Sequence, residues 1–435
     1  MFVNCRPKKP IKTGPFMPPS HPTRLQKART TALLLMMAGL LHACGGSTST
    51  TTTEATTEPS TTATSTTQTT ADTQVLTKTF GTQINPAQWS NYSGQVIPAY
   101  ITKRNSGGVD NARASLGRVL FYDKNLSVDN TVACASCHKQ AIAFTDTALA
   151  SQGVGGGLTG RHSMRLINTR FAQETRFFWD KRAATLEDQA LQPIQDHNEM
   201  GFSGLAGRPA LGDLLTKMAA TDYYPVLFKA VYGDSQVTAA RVQESLAHFV
   251  RSIVSFDSRY DQGRAAVAND AQAFPNFSAE ENTGKNLFLT PPQFNAQGVR
   301  TAGGLGCNGC HRSPEFDIDP ASGNNGIIGR LNAAGQDLTN TRAPSLRDLV
   351  GRNGEPNSPM MHTGVIPTLQ AAIGHYGNIN ANPANTLLDP RLRPNGVGQQ
   401  LQLTAPEVNA VVAFLRTLTG QAVYTDAKWS DPFVR

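Results

Sequence analysis

The chain has 435 residues, with 39 Lys and Arg against 32 Asp and Glu, a formal charge of +7. Seven of the basic residues and none of the acidic ones fall within residues 1–44, so the remainder balances at 32 against 32. The high isoelectric point therefore belongs to the amino terminus and gives no warrant for a nucleic-acid partner.

In chain order, the first element is an apolar run, TALLLMMAGLLHAC at residues 31–44, preceded by Arg24, Lys27 and Arg29. This is the pattern of a secretory signal over residues 1–44, too short to span a bilayer. Its closing cysteine resembles a bacterial lipobox, which makes Cys44 the lipidated first residue of the mature chain; an ordinary cleaved signal is the alternative. Gly45 rather than Asp follows, which points to a periplasmic protein anchored by lipid to the outer membrane. A start at Met17 would leave Cys5 untranslated. Residues 45–80 are rich in Thr and Ser and read as a disordered tether.

About 350 residues remain, enough for two domains. Residues 109–122 and 281–289 read as short helices, each leading into a cysteine motif. Residues 242–256 place Val242, Leu246, Phe249, Val250, Ile253 and Val254 on one helical face. Residues 405–420 start after Thr404 with Pro406 and Glu407 and stop at Gly420, a capped amphipathic helix. Gly- and Pro-rich stretches separate these helices. The expected fold is mainly α, with domains over 81–268 and 269–435 and no repeat beyond the cysteine motifs.

Those motifs are Cys134-Ala-Ser-Cys137-His138 and Cys307-Asn-Gly-Cys310-His311. With six Cys and nine His in the chain, chance supplies roughly 0.002 such matches. A zinc site would pair two Cys-x-x-Cys units or add a second histidine. A thioredoxin-like motif or a local disulfide does not explain a trailing His in both places. Covalent attachment of haem c does. The two thiols of each motif take the vinyl groups, and His138 or His311 becomes the proximal iron ligand.

The order of further motifs carries a resemblance. RHSMRLINTRF (161–171), FFWDKRAATLEDQA (177–190), NEMG (198–201), TRAPSLRDL (341–349), MMHTG (360–364), HYGN (375–378) and VVAFLRTLTG (411–420) flank the haem motifs. Over roughly residues 95–420 the chain resembles the bacterial dihaem cytochrome c peroxidases and their relatives that oxidise tryptophan on another protein. The resemblance implies that the N-terminal haem meets hydrogen peroxide and the C-terminal haem receives electrons from a small cytochrome c or cupredoxin. It implies Trp179 as the residue between the haems and Glu199 as the proton-handling carboxylate, with His197 as its competitor.

Two departures from the family pattern bear on mechanism. The loop 148–160 contains no His, Cys or Met, so no side chain in it caps the first iron at rest. At the distal position of the second haem, Tyr376 stands where many members have Met; tyrosinate favours ferric iron. His375, Met360 and Met361 are the alternatives. The family also implies a calcium ion between the haems, held by an Asn side chain and nearby carbonyls. Here that Asn position holds His162, a poor ligand for a hard cation, with Arg342 and Pro344 as carbonyl candidates. His248 and His362 read as structural. The favoured function is a dihaem peroxidase. A dihaem oxidase that modifies a partner protein and a non-catalytic electron carrier are the alternatives.

Overall fold

Helices supply nearly all regular structure in the computed structural model, which describes residues 61–102 and 107–434. Among these residues, strand is confined to two antiparallel pairs, Pro292–Phe294 with Arg300–Gly303 and His311–Arg312 with Asp317–Ile318. The mainly helical expectation holds. The signal and lipidation readings, Cys44 included, lie outside the described residues.

The tether expectation is corrected in its second part, because Thr61–Phe80 is helical. Composition there is poor in apolar residues, but Leu76 and Phe80 are buried, and Phe80 stacks within 5.4 Å of Tyr223 and 5.1 Å of Phe433. Docking of one end onto a core stabilises a helix that propensity alone would not hold. Residues 45–60 lie outside the described residues.

The helices leading into the motifs span Asn111–Tyr122 and Ala279–Leu289, and their partners span Ala239–Ser252 and Ala405–Arg416. Thr404 and Glu407 close a reciprocal capping box at the start of the last helix. A repeat not visible at first reading lies in how these helices cross. A Cβ on Gly117 would sit 2.0 Å from the Ser245 carbonyl oxygen, and one on Gly284 would sit 1.8 Å from that of Ala410. Only glycine permits either approach. Four residues after each glycine comes a Phe, and each meets a Phe of the crossing helix: Phe121 with Phe249 at 5.0 Å, and Phe288 with Phe414 at 5.3 Å. One glycine-notched crossing is thus built twice, once ahead of each haem motif.

Each crossing sits in its own core. The first draws on residues from Leu76 to Val254, and the second on residues from Tyr260 to Leu418. This differs from the expected division between 268 and 269 in two places. Tyr260 already belongs to the second core, and Val423, Tyr424 and Trp429 return to the first. Trp429 is 1% exposed, and its Nε1 donates to Ser252 Oγ at 3.2 Å. Tyr122 Oη donates to the Trp429 carbonyl, and Arg118 Nε to that of Ser430, both at 2.6 Å.

Between the cores, Arg347 and Asp261 form a buried two-pronged ion pair, both contacts at 2.9 Å, the geometry that best repays burying charge. Arg165 Nη2 donates to the Ser345 carbonyl at 2.9 Å. The RHSMR and TRAPSLRDL stretches are therefore joined directly.

Candidate functional site

The first haem motif opens a short helix, Cys134–Cys137, in which Ser136 Oγ accepts the Ala133 N–H. His138 follows it, buried among Phe121 and Phe144. Its Nδ1 lies 3.0 Å from the Phe144 carbonyl oxygen and 3.2 Å from Ser163 Oγ, which itself donates to the Cys137 carbonyl. A carbonyl only accepts, so Nδ1 carries the proton and Nε2 keeps its lone pair for a metal.

Cys134, Cys137, Cys307 and Cys310 are all unpaired. Burial pushes the Cys134 and Cys307 thiols up to about 12, and Cys137 and Cys310 up to about 11. A redox-active Cys-x-x-Cys shows the opposite shift, so the structure argues against the thioredoxin-like alternative.

The second motif lines a cavity of about 480 Å³, with Cys307, Cys310 and His311 on its wall and Phe288, Leu349 and Val411 among its apolar lining. That size and lining suit a large planar ligand. Burial draws His311 down to about 4, and its Nδ1 is buried without a partner. The donor set, the unpaired cysteines and the cavity fit haem.

Tyr376, Met360 and Met361 line the same cavity. Burial raises the Tyr376 phenol above its ordinary range, a hydrogen bond from Asn325 opposes this, and the neighbouring Cys310 and Cys307 add to the rise. His375 Nε2 donates to the Asn325 carbonyl at 2.8 Å, and His362 Nε2 to that of Gly329 at 2.9 Å. The Nε2 atom of each ring is thereby occupied.

Trp179 borders this cavity and connects it to the first motif. Its Nε1 donates to the His162 carbonyl at 2.8 Å, its own carbonyl accepts from Thr341 and Arg342 at 3.0 Å, and its ring stands 6.2 Å from that of His362. Ser163, next to His162, holds the Cys137 carbonyl at 2.7 Å. A short chain of bonded residues thus runs from the first haem motif to Trp179, on the wall of the cavity that the second motif lines.

His162 itself has Nδ1 engaged with the carbonyls of Ala148 and Leu149, and Nε2 buried without a partner. Ser163, the next residue, stands on the Nδ1 side of the His138 imidazole. Calcium takes oxygen ligands, and the His162 imidazole does not fit it.

Glu199 is half-buried, and its charge acts on both Cys134 and Cys137 thiols. Burial lifts its carboxyl to about 7, Asp196 adds to the rise and Arg182 opposes it. His197, the competitor, is engaged with Ser203 Oγ at 3.1 Å. The ligand-free loop 148–160 has a structural task that its sequence did not advertise. Gln152 and Leu158 bridge to form a small turn, and the Val154 N–H donates to the Glu199 carbonyl at 3.0 Å. A Cβ on Gly153 would lie 1.8 Å from the Asn198 carbonyl oxygen. Gly153→Ala must push the Glu199 segment away. We expect it to slow reaction with peroxide at least tenfold in stopped-flow mixing while both resting spectra stay unchanged; an unaltered rate would show that this turn does not place the carboxylate.

The family model for di-haem cytochrome c peroxidase matches residues 111–269. The chain is similar to methylamine utilization protein MauG of Methylorubrum extorquens, 29% identical over 320 residues, covering 71% of this chain and 78% of the relative. It is also similar to cytochrome c551 peroxidase of Nitrosomonas europaea, 27% identical over 319 residues and covering 71% and 80%. A solved MauG-like protein associated with microbial copper homeostasis superposes with a TM-score of 0.58 at 26% identity, over 79% of this chain and 99% of that one. The family carries two c-type haems, in agreement with the two donor sets described.

Proposed function

We propose that this chain reduces hydrogen peroxide to water, using two electrons from a small cytochrome c or cupredoxin and two protons. The observation that carries the reading is Glu199, half-buried beside the Cys134 and Cys137 thiols with its carboxyl near 7, facing a loop that offers no iron ligand. Cys134, Cys137, Cys307 and Cys310 hold the haems covalently, with His138 and His311 as proximal ligands. The haems supply the redox chemistry. Ionised Glu199 takes a proton from the attacking peroxide oxygen and returns it to the departing one, a task suited to a group titrating near neutrality. Trp179 lies on the electron path between the halves.

The two proximal histidines favour this division of labour. The Phe144 carbonyl accepts from His138 Nδ1, which makes that imidazole a stronger donor and lowers its haem's potential. His311 Nδ1 has no partner, which leaves its haem the higher of the two on this account. Tyr376 as distal ligand lowers the second potential in turn, so the two effects offset each other there.

The test is the oxidised protein as isolated. It should show one high-spin ferric haem and react with peroxide without prior reduction. Two low-spin irons at rest, reactive only after one-electron reduction, would sink the reading; two low-spin irons with no reactivity would leave an electron carrier. Tyr376 in the second cavity favours one further reading, an oxidase acting on a partner protein, and turnover of peroxide with a small donor alone separates the two. We place the mature chain in the periplasm, lipid-anchored to the outer membrane at Cys44, which mass spectrometry of its amino terminus checks.

A further inference from the structure

Asn325 lines the second cavity beside Tyr376 and Met361. Its Oδ1 accepts the Ile327 N–H at 3.1 Å, which fixes the end of the amide that carries nitrogen. Nδ2 then lies 3.1 Å from Met361 Sδ and 3.3 Å from Tyr376 Oη. The backbone here is held as well: His375 Nε2 donates to the Asn325 carbonyl, and the Gly326 N–H to Asn324 Oδ1 at 2.8 Å. Met361 has φ of 71°, a left-handed conformation that surrounding contacts must maintain for a side chain of this size. An amide nitrogen has two hydrogens, and two rival iron ligands stand within reach of this one.

We propose that Asn325 is a positioning residue for the second haem, one N–H weakening the Tyr376 oxygen as a donor and the other occupying the Met361 sulfur. The proposal rests on Tyr376 being the distal ligand. A hydrogen bond to a ligating phenolate withdraws electron density that would otherwise stabilise ferric iron, so it raises the potential. An engaged thioether lone pair is withheld from the metal. His375, set aside as a ligand, acquires a role here: it fixes the backbone from which the amide reaches both groups.

Asn325→Leu in the full-length holoprotein tests this, with potentiometric titration of the second haem and the tyrosinate-to-iron absorption as readouts. The midpoint should fall by roughly 59 mV, a tenfold change in the ferric-to-ferrous ratio for one electron, the scale of one hydrogen bond to a charged acceptor. The tyrosinate absorption should persist. Asn325→Ser, which is too short to reach either partner, should give the same fall, and it serves if the leucine variant does not retain two haems. An unmoved midpoint and an unchanged tyrosinate absorption with both haems present overturn the proposal, whereas replacement of the tyrosinate absorption by a thioether signature would bear out the withholding of the Met361 sulfur. Tyr376→Phe is read separately. If it leaves the spectrum and midpoint unchanged, the ligand assignment itself is wrong; if it removes the tyrosinate absorption while Asn325→Leu changes nothing, only the role of Asn325 fails.

Discussion

Replacing Cys134 and Cys137 together by alanine halves the haem content and abolishes peroxide turnover. Each motif has its own donor set, and each sits against its own glycine-notched helix crossing and its own core. The second haem should therefore load normally on Cys307, Cys310 and His311. A pyridine haemochrome assay should give one haem per chain instead of two, and the surviving spectrum should be that of the Tyr376-side haem. Residual turnover with one haem would assign peroxide chemistry to the wrong half. A full complement of two would overturn the attachment reading altogether.

Glu199→Gln should slow the bimolecular reaction with peroxide by about 10²–10⁴, the usual contribution of a positioned acid–base group, with both resting spectra preserved. The pH dependence gives the sharper check. Because burial lifts the carboxyl from 4.5 to about 7, the proton-accepting form is scarce in acid, and the wild-type rate should climb with pH to a plateau above about 7. That limb should vanish in the glutamine variant. Stability runs the other way. The folded chain holds this proton more tightly than the unfolded chain, so ionising Glu199 costs stability as pH rises from the ordinary carboxyl value through about 7. A variant with the wild-type rate and the wild-type pH profile would mean that another group moves the proton.

The two sets of haem donors and the helices were legible in the sequence because each rests on local spacing. Cys-x-x-Cys-His fixes a donor set within five residues, and Thr404 with Glu407 marks a helix start within four. The roles proposed for Glu199, Trp179 and Tyr376 rest on the order of surrounding motifs, since no local pattern distinguishes a proton-handling Glu from a solvated one. Three features were not found. The helix ending at Phe80 depends on packing against Tyr223 and Phe433, residues far along the chain. The doubled crossing was written in the sequence as Gly117 with Phe121 and Gly284 with Phe288, a spacing whose meaning depends on the partner helix. Asn325 carried no signal at all: its two acceptors, Met361 and Tyr376, come from separate later segments.

The return of the last residues to the first core bears on how the molecule is made. A ribosome adds Trp429 after every member of the second core, yet that indole fills a place beside Ser252, in a core most of whose members precede Tyr260. Until then the first core lacks the partners of Tyr92, Arg118 and Tyr122, which donate to the carbonyls of Lys428, Ser430 and Trp429. The first core is completed only after every member of the second has been made, and a chain terminated before Trp429 lacks a piece of the first core.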